Sequence, residues 1–300
     1  MADRHPNYRE PAVLPAVLRR TTVPPAAREW VRRTTGARVL SWRRLPGASS
    51  SAVHALQLSD GGRVVLRRWT WRFVLEDEPV IARRELDALA LAAAHGLPAP
   101  RVVSADVDGT HVGDGVPALL MSRLAGRAVA APDLARLAEV AATIHEVDAT
   151  GLPHAFFRWS MDALAAAPPA ATRPALWERA LDARCTAIPA YRDRFIHRDY
   201  HPGNVLWSRG RSTGVVDWPN ACRGPWECDV ATCRSNLARL SGPAAAEAFL
   251  HAYVALTGRA YHPYWDLNYL LEQDADHWTS DEVTRAEPLL ERWLSDLGQR

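Results

Sequence analysis

His197-Arg198-Asp199-Tyr200-His201-Pro202-Gly203-Asn204, followed by Gly214-Val215-Val216-Asp217-Trp218, decides how this chain is read. The short apolar pair Phe195-Ile196 leads into the first stretch, and Pro202-Gly203 turns the chain before Asn204. Val205-Leu206-Trp207 reads as a strand, Ser208-Arg209-Gly210-Arg211-Ser212 as a hairpin turn and Gly214-Val215-Val216 as the return strand, with Asp217 at its tip. An aspartate, an asparagine five residues later and a second aspartate thus fall in one neighbourhood of the sequence.

The chemistry of these three side chains is specific. An amide oxygen and a carboxylate suit a hard cation such as Mg²⁺, which takes few protein ligands and keeps waters and phosphate oxygens. A third carboxylate, held off the metal, can orient a nucleophile. Phosphoryl transfer needs this division, because its catalysis is mostly positioning and charge neutralisation. The spacing matches a kinase catalytic loop with its metal-binding aspartate. In that reading Asp199 acts on the acceptor hydroxyl, while Asn204 and Asp217 hold Mg²⁺ on the nucleotide phosphates. A rival reading takes the alternating His197, Asp199 and His201 as metallohydrolase ligands on one strand face. Pro202-Gly203 breaks that strand, and no further His/Asp cluster of ligand spacing follows. A satisfied polar turn in a core leaves Asn204 and Asp217 together unexplained.

Three hundred residues, 48% of them hydrophobic, support one large or two modest domains. The formal charge of +2 points to no nucleic-acid or membrane partner, and nothing implies an obligatory protein partner. Every basic residue apart from histidine is arginine, so a phosphate clamp must be arginine too. Cys185, Cys222, Cys228 and Cys233 lack a C-x-x-C zinc pattern and read as reduced, partly buried thiols. The polar N-terminus and the lack of a spanning apolar run predict a cytoplasmic protein.

Along the chain, residues 1–25 are rich in Pro and Arg and read as an arm. A helix is expected from Ala26 to Thr35, ending at Gly36. Strands are expected at Val39 to Leu45, Ala52 to Leu58 and Arg63 to Trp69, the last two joined by the hairpin signal Asp60-Gly61-Gly62. A helix from Pro79 to His95, a short strand at Val102-Val103 and another from Ala118 to Met121 follow. Beyond Gly126 the pattern turns helical. Pro132 to Asp148 carries Leu134, Leu137, Val140, Ala141 and Ile144 near 3.6 spacing. Residues 155–192 read as interrupted helix, 226–257 as helix broken near Ser241-Gly242-Pro243, and 264–297 as two more helices.

His197-x-Asp199-x-x-x-x-Asn204 with Val216-Asp217-Trp218 resembles the aminoglycoside phosphotransferase family of small-molecule kinases, over roughly residues 30 to 280. The resemblance implies an α+β fold of the bilobal protein-kinase-like type: an N-terminal nucleotide-binding lobe at 26–122, with an antiparallel sheet and one main helix, and a helical catalytic and acceptor-binding lobe at 123–300. It implies that Asp199 is catalytic and that Asn204 and Asp217 are metal ligands. Arg67 would clamp the α/β-phosphates of ATP or GTP, and Glu85 would pair with it. The turn Gly47-Ala48-Ser49-Ser50-Ser51 would lie over the phosphates. Met121, Ser122, Arg123 and Leu124 would form the hinge that receives the base. Asp229 would brace the catalytic loop, with His197 in support. His201 stands where protein kinases carry lysine, and only eleven residues separate Asp217 from Asp229, too few for a long activation loop. Both features favour a small-molecule acceptor.

The acceptor is expected over the C-terminal lobe near Asp199: an aminoglycoside or other antibiotic, a sugar or an amino alcohol. A polycation would need an acidic wall, for which Glu227, Asp266, Glu272, Asp274 and Asp276 are candidates. Trp207, Trp218, Trp226, Trp265 and Trp278 would serve as an aromatic floor or as core. The alternative from another class is a non-catalytic nucleotide-binding pseudokinase, which intact Asp199, Asn204 and Asp217 argue against.

Overall fold

A computed structural model describes residues 22–47, 51–70, 80–158, 166–185, 188–272 and 278–298. The expected N-terminal arm up to residue 21, together with Ser49, Ser50, Pro79, Asp274 and Asp276, lies outside the described residues. The chain divides into two compact units, residues 10–127 with 206–220, and residues 1–9 with 128–205 and 221–300. The 206–220 stretch therefore groups with the strand-rich half of the sequence.

In the first unit, helix α1 (Pro25–Thr35) starts on a proline, whose fixed φ suits the first turn. It stops at Gly36, whose φ of 75° is left-handed. Strands β1 (Val39–Arg44), β2 (Ala52–Leu58), β3 (Arg63–Arg68), β4 (Val102–Asp106) and β5 (Ala118–Ser122) form an antiparallel sheet in the order β1-β2-β3-β5-β4. Arg67 sits in this sheet opposite Val53 on β2 and Leu119 on β5. Leu56, Leu58, Val64, Leu66 and Leu120 pack with Ala27, Trp30 and Val31 of α1 into one core. Helix α2 (Ile81–Ala94) buries Glu85 as well as its apolar face.

The second unit is mostly helical: α3 (Leu134–His145), α4 (Pro174–Cys185), α5 (Glu227–Ser241), α6 (Pro243–Thr257), α7 (Tyr264–Leu271) and α8 (Ser280–Gly298). The Asp133 carboxylate caps α3 by accepting the Arg136 N–H. The break expected near Ser241-Gly242-Pro243 falls between α5 and α6. Strand β6 (Asp193–Ile196) pairs antiparallel with β9 (Cys222–Pro225), and the hairpin of β7 (Val205–Ser208) and β8 (Arg211–Val215) lies between them in sequence. Trp177, Leu267, Leu271, Leu290 and Trp293 centre the packing of α4, α7 and α8. No helix among the described residues is long and apolar enough to cross a membrane.

Candidate active site

The loop at 197–204 leaves β6, whose Phe195 and Ile196 are fully buried, and is fixed from behind. The Asp229 carboxylate accepts the backbone N–H of His197 through Oδ2 (2.7 Å) and that of Arg198 through Oδ1 (2.6 Å). Oδ2 also faces His145 Nε2 at 3.1 Å. A carboxylate can only accept here, so Nε2 carries the proton. His145 Nδ1 then accepts the Tyr253 hydroxyl (2.8 Å), whose oxygen takes a hydrogen bond from Arg259 (2.9 Å). Burial acts to raise the Asp229 carboxyl, but the hydrogen bonds from His145 and from the loop N–H outweigh it and hold it below the usual carboxylate range. With both N–H groups held, Arg198 keeps a left-handed φ of 69°, which a side-chain-bearing residue adopts under constraint.

Asp199 and Asn204 meet within this loop. Asn204 Nδ2 donates to the Asp199 carbonyl (2.9 Å) and to its carboxylate Oδ2 (3.0 Å). That orientation leaves the Asn204 side-chain oxygen for another partner, and it is a hard ligand atom. The Asp199 side chain is 39% exposed, so its carboxylate is accessible. His201 Nδ1 accepts the Gly203 N–H (3.0 Å), which puts the ring proton on Nε2, 3.7 Å from Asp199 Oδ1. A Cβ at Gly203 would stand 2.6 Å from His201 Cε1, so any larger residue there displaces this ring.

The second cluster lies in the strand-rich unit. Arg67 is buried and uses its whole guanidinium. Nε donates to Ser51 Oγ (2.8 Å), one terminal nitrogen to Glu85 Oε1 (2.8 Å) and the other to Asp217 Oδ1 (2.7 Å). Glu85 Oε1 also accepts the Trp218 N–H at 3.4 Å. Glu85 thus ties α2 both to β3 and to the segment carrying Asp217. Burial pushes the Glu85 carboxyl above its usual range, and Arg67 pulls it back only in part. Burial likewise opposes the Arg67 charge, and Asp217 and Glu85 keep it protonated. Asp217 has a left-handed φ of 72° and lies two residues past the end of β8.

Of the remaining expected site residues, Gly47 has a left-handed φ of 96°, and Ser51 is fully buried beneath Arg67. Met121 and Ser122 end β5; Ser122 Oγ accepts the Arg101 N–H (2.9 Å). Arg123 is exposed and Leu124 half-buried. The acidic wall needs correction. Asp266 is buried in an ion pair with Arg234, and Glu272 in one with Arg198. Neither faces solvent, so neither offers charge to a polycation. Glu227 is also buried, and its Oε2 has no hydrogen-bond partner among the described residues. Trp207, Trp218, Trp226, Trp265 and Trp278 are all buried and belong to the core.

Comparison with known proteins supplies the family. Residues 41–266 match the model of the phosphotransferase enzyme family, three quarters of the chain. The chain belongs to this family. A homoserine kinase of Pseudomonas aeruginosa is 30% identical over 210 residues, covering 62% of this chain and 60% of that protein. The chain thus spans about 60% of the length of the curated relatives it matches. Among solved structures, a thermostable mutant of aminoglycoside phosphotransferase APH(4)-Ia, in ternary complex with ADP and hygromycin B, superposes with a TM-score of 0.64 at 17% identity. That match covers 90% of this chain and 98% of the other. Aminoglycoside phosphotransferase APH(3'')-Id from Streptomyces rimosus, in complex with ADP and streptomycin, gives 0.57 at 17% identity, over 83% and 97% of the two chains. At these identities the likeness carries the fold, and the fold is the α+β, protein-kinase-like one that the loop motif led us to expect.

In this phosphotransferase-family chain, the residue that sequence reasoning missed is His145. It stands in the last turn of an amphipathic helix, where its fully buried ring reads as ordinary packing. Only the fold brings it to Asp229. A histidine at a buried helix position, with no apolar reason to be there, was the available signal.

Proposed function

We propose that this chain is a small-molecule O-phosphotransferase. It moves the γ-phosphate of ATP or GTP to an acceptor hydroxyl, with Mg²⁺ on the nucleotide. The observation that carries the reading is the Asn204–Asp199 contact. The asparagine amide turns its two donors to Asp199, which leaves the acceptor carboxylate and a metal-seeking oxygen as separate functions of one short loop. The donor set fits magnesium: an amide oxygen from Asn204 and a carboxylate from Asp217 are hard ligands. When bound, the ion neutralises charge on the phosphates.

The chain's own residues do the rest. Asp199 accepts or orients the proton of the acceptor hydroxyl. Arg67 contributes fixed positive charge for the phosphates, held by Glu85 and Ser51, and Ser51 acts through it. Gly47, Ser49 and Ser50 are the residues proposed to meet the phosphates. Met121, Ser122, Arg123 and Leu124 receive the base. His197 and Asp229 keep the loop in place.

The homoserine kinase relative, and the aminoglycosides bound by the structural neighbours, supply the acceptors to be tested. The withdrawal of Asp266 and Glu272 into buried ion pairs weakens the polycation side of that range. The test is Mg²⁺-dependent ADP or GDP release above background, across L-homoserine, amino alcohols, sugars, hygromycin B and streptomycin. Acceptor-dependent release establishes the transferase. Nucleotide binding without release for any acceptor would favour the pseudokinase.

A further inference from the structure

Arg198 stands between His197 and the proposed catalytic Asp199, and its conformation is costly. Its φ of 69° is left-handed, where a Cβ crowds the backbone. Two carboxylates hold it there. Asp229 takes its backbone N–H at 2.6 Å. Glu272, the C-cap residue of α7, takes its guanidinium through both oxygens, at 3.2 and 3.3 Å. The same guanidinium donates to the Phe157 carbonyl (2.9 Å) and lies 4.9 Å from the centre of the Phe156 ring. The paired side chains are 4% and 3% exposed.

Glu272 is itself held. Asn268 Nδ2, one turn back on α7, donates to Glu272 Oε1 (3.0 Å), and Asn268 Oδ1 accepts from Arg184 Nε (3.4 Å). Arg184 on α4 also donates to the carbonyl of Leu271 (3.1 Å), immediately before Glu272. A continuous run of polar contacts therefore joins α4 and α7 to the residue before Asp199. A buried ion pair of this kind is a poor source of net stability, because desolvation offsets its attraction and an apolar pair of similar volume often serves as well. What it provides is direction. The backbone at Arg198 sets where the Asp199 carboxylate points, and a relaxed, negative φ would swing it away from Asn204.

We infer that Glu272 is a positioning residue for phosphoryl transfer: by locking Arg198 in its left-handed conformation it aims the Asp199 carboxylate. The inference rests on the proposed role of Asp199. It also gives Glu272 a task in place of acceptor binding.

The test uses the full chain and three variants: Glu272→Gln, Glu272→Asp and the double variant Arg198→Met/Glu272→Leu, which removes both charges together. Turnover is read as ADP release from Mg-ATP with L-homoserine, hygromycin B and streptomycin as acceptors, and Mg-ATP binding as a thermal shift. Glu272→Gln should lower kcat by about 10- to 100-fold, the scale of a small misplacement of a reacting group. Nucleotide KM and the Mg-ATP shift should stay within two-fold, roughly the resolution of such a comparison against a 100-fold effect. Glu272→Asp should recover part of the rate. The double variant should fold yet remain slow, and its crystal structure should show a negative φ at position 198 and a broken Asp199–Asn204 side-chain bond. A folded double variant with wild-type kcat, or one that keeps both the left-handed φ and that bond, overturns the inference. The crystal structure decides the matter even if none of the three acceptors turns over, or if Glu272→Gln fails to fold. Full activity in a parallel Asp199→Asn variant would instead overturn the reading of Asp199.

Discussion

The Asp229 carboxylate holds the backbone N–H of Arg198 at 2.6 Å, thirty-one residues away in sequence. With its other oxygen on His197 and His145, this one side chain satisfies three donors that would otherwise be buried and unpaired. Asp229→Ala should therefore cost about 1–3 kcal/mol for each stranded donor. The pH dependence follows from the depressed carboxyl. Its contribution is present above the unfolded value of about 3.9 and is lost as pH falls through the lower folded value. Thermal melts of wild type and variant should differ most near neutrality and converge in acid. A constant difference down to pH 2 would contradict the assignment.

Glu227 has the opposite sign. Burial pushes its carboxyl from 4.5 up to about 7, against the pull of its backbone N–H and of Arg259. A raised carboxyl contributes stability below its unfolded value and loses it as pH rises through about 7. The rise corresponds to about 3 kcal/mol at most. Glu227→Gln should raise Tm clearly at pH 8 and little at pH 5. Equal shifts at both pH values would show that Glu227 keeps its charge in the fold.

Much of this was legible because the decisive residues are neighbours in sequence. Asp199 and Asn204 lie in one loop, and the Asp60-Gly61-Gly62 signal fixes the β2–β3 hairpin that carries Arg67. What escaped was long-range. Strand β9 is short, contains Gly224 and Pro225, and shows no alternation; it exists because β6 pairs with it. Glu272 stood among the candidates for an acidic wall, since its partner Arg198 is 74 residues earlier. The reach of Glu85 to the Trp218 N–H, across 133 residues, could be read from no local pattern.

Arg67 makes three side-chain contacts with a planar fork, which an ammonium cannot reproduce. Arg67→Lys should fold but raise the nucleotide KM, and Arg67→Ala should raise KM and lower kcat. Steady-state kinetics at varied ATP checks this. An unchanged KM in both variants would remove Arg67 from the nucleotide site.

Asp217 is the carboxylate proposed for Mg²⁺, and it pairs with Arg67. Asp217→Ala should abolish the thermal shift produced by Mg-ATP. A shift of wild-type size in that variant would place the metal elsewhere.

The central claim is that Asp199 serves the acceptor while Asn204 and Asp217 serve the nucleotide. Asp199→Asn keeps the side-chain shape and removes its charge and basicity. The direct measurement is Mg-ATP affinity and acceptor-dependent ADP release in this variant beside wild type. Affinity should stay within about three-fold while transfer falls by about 10²–10⁴, the usual contribution of general acid–base catalysis. Loss of nucleotide binding would make Asp199 a metal ligand, and undiminished transfer would remove it from the chemistry.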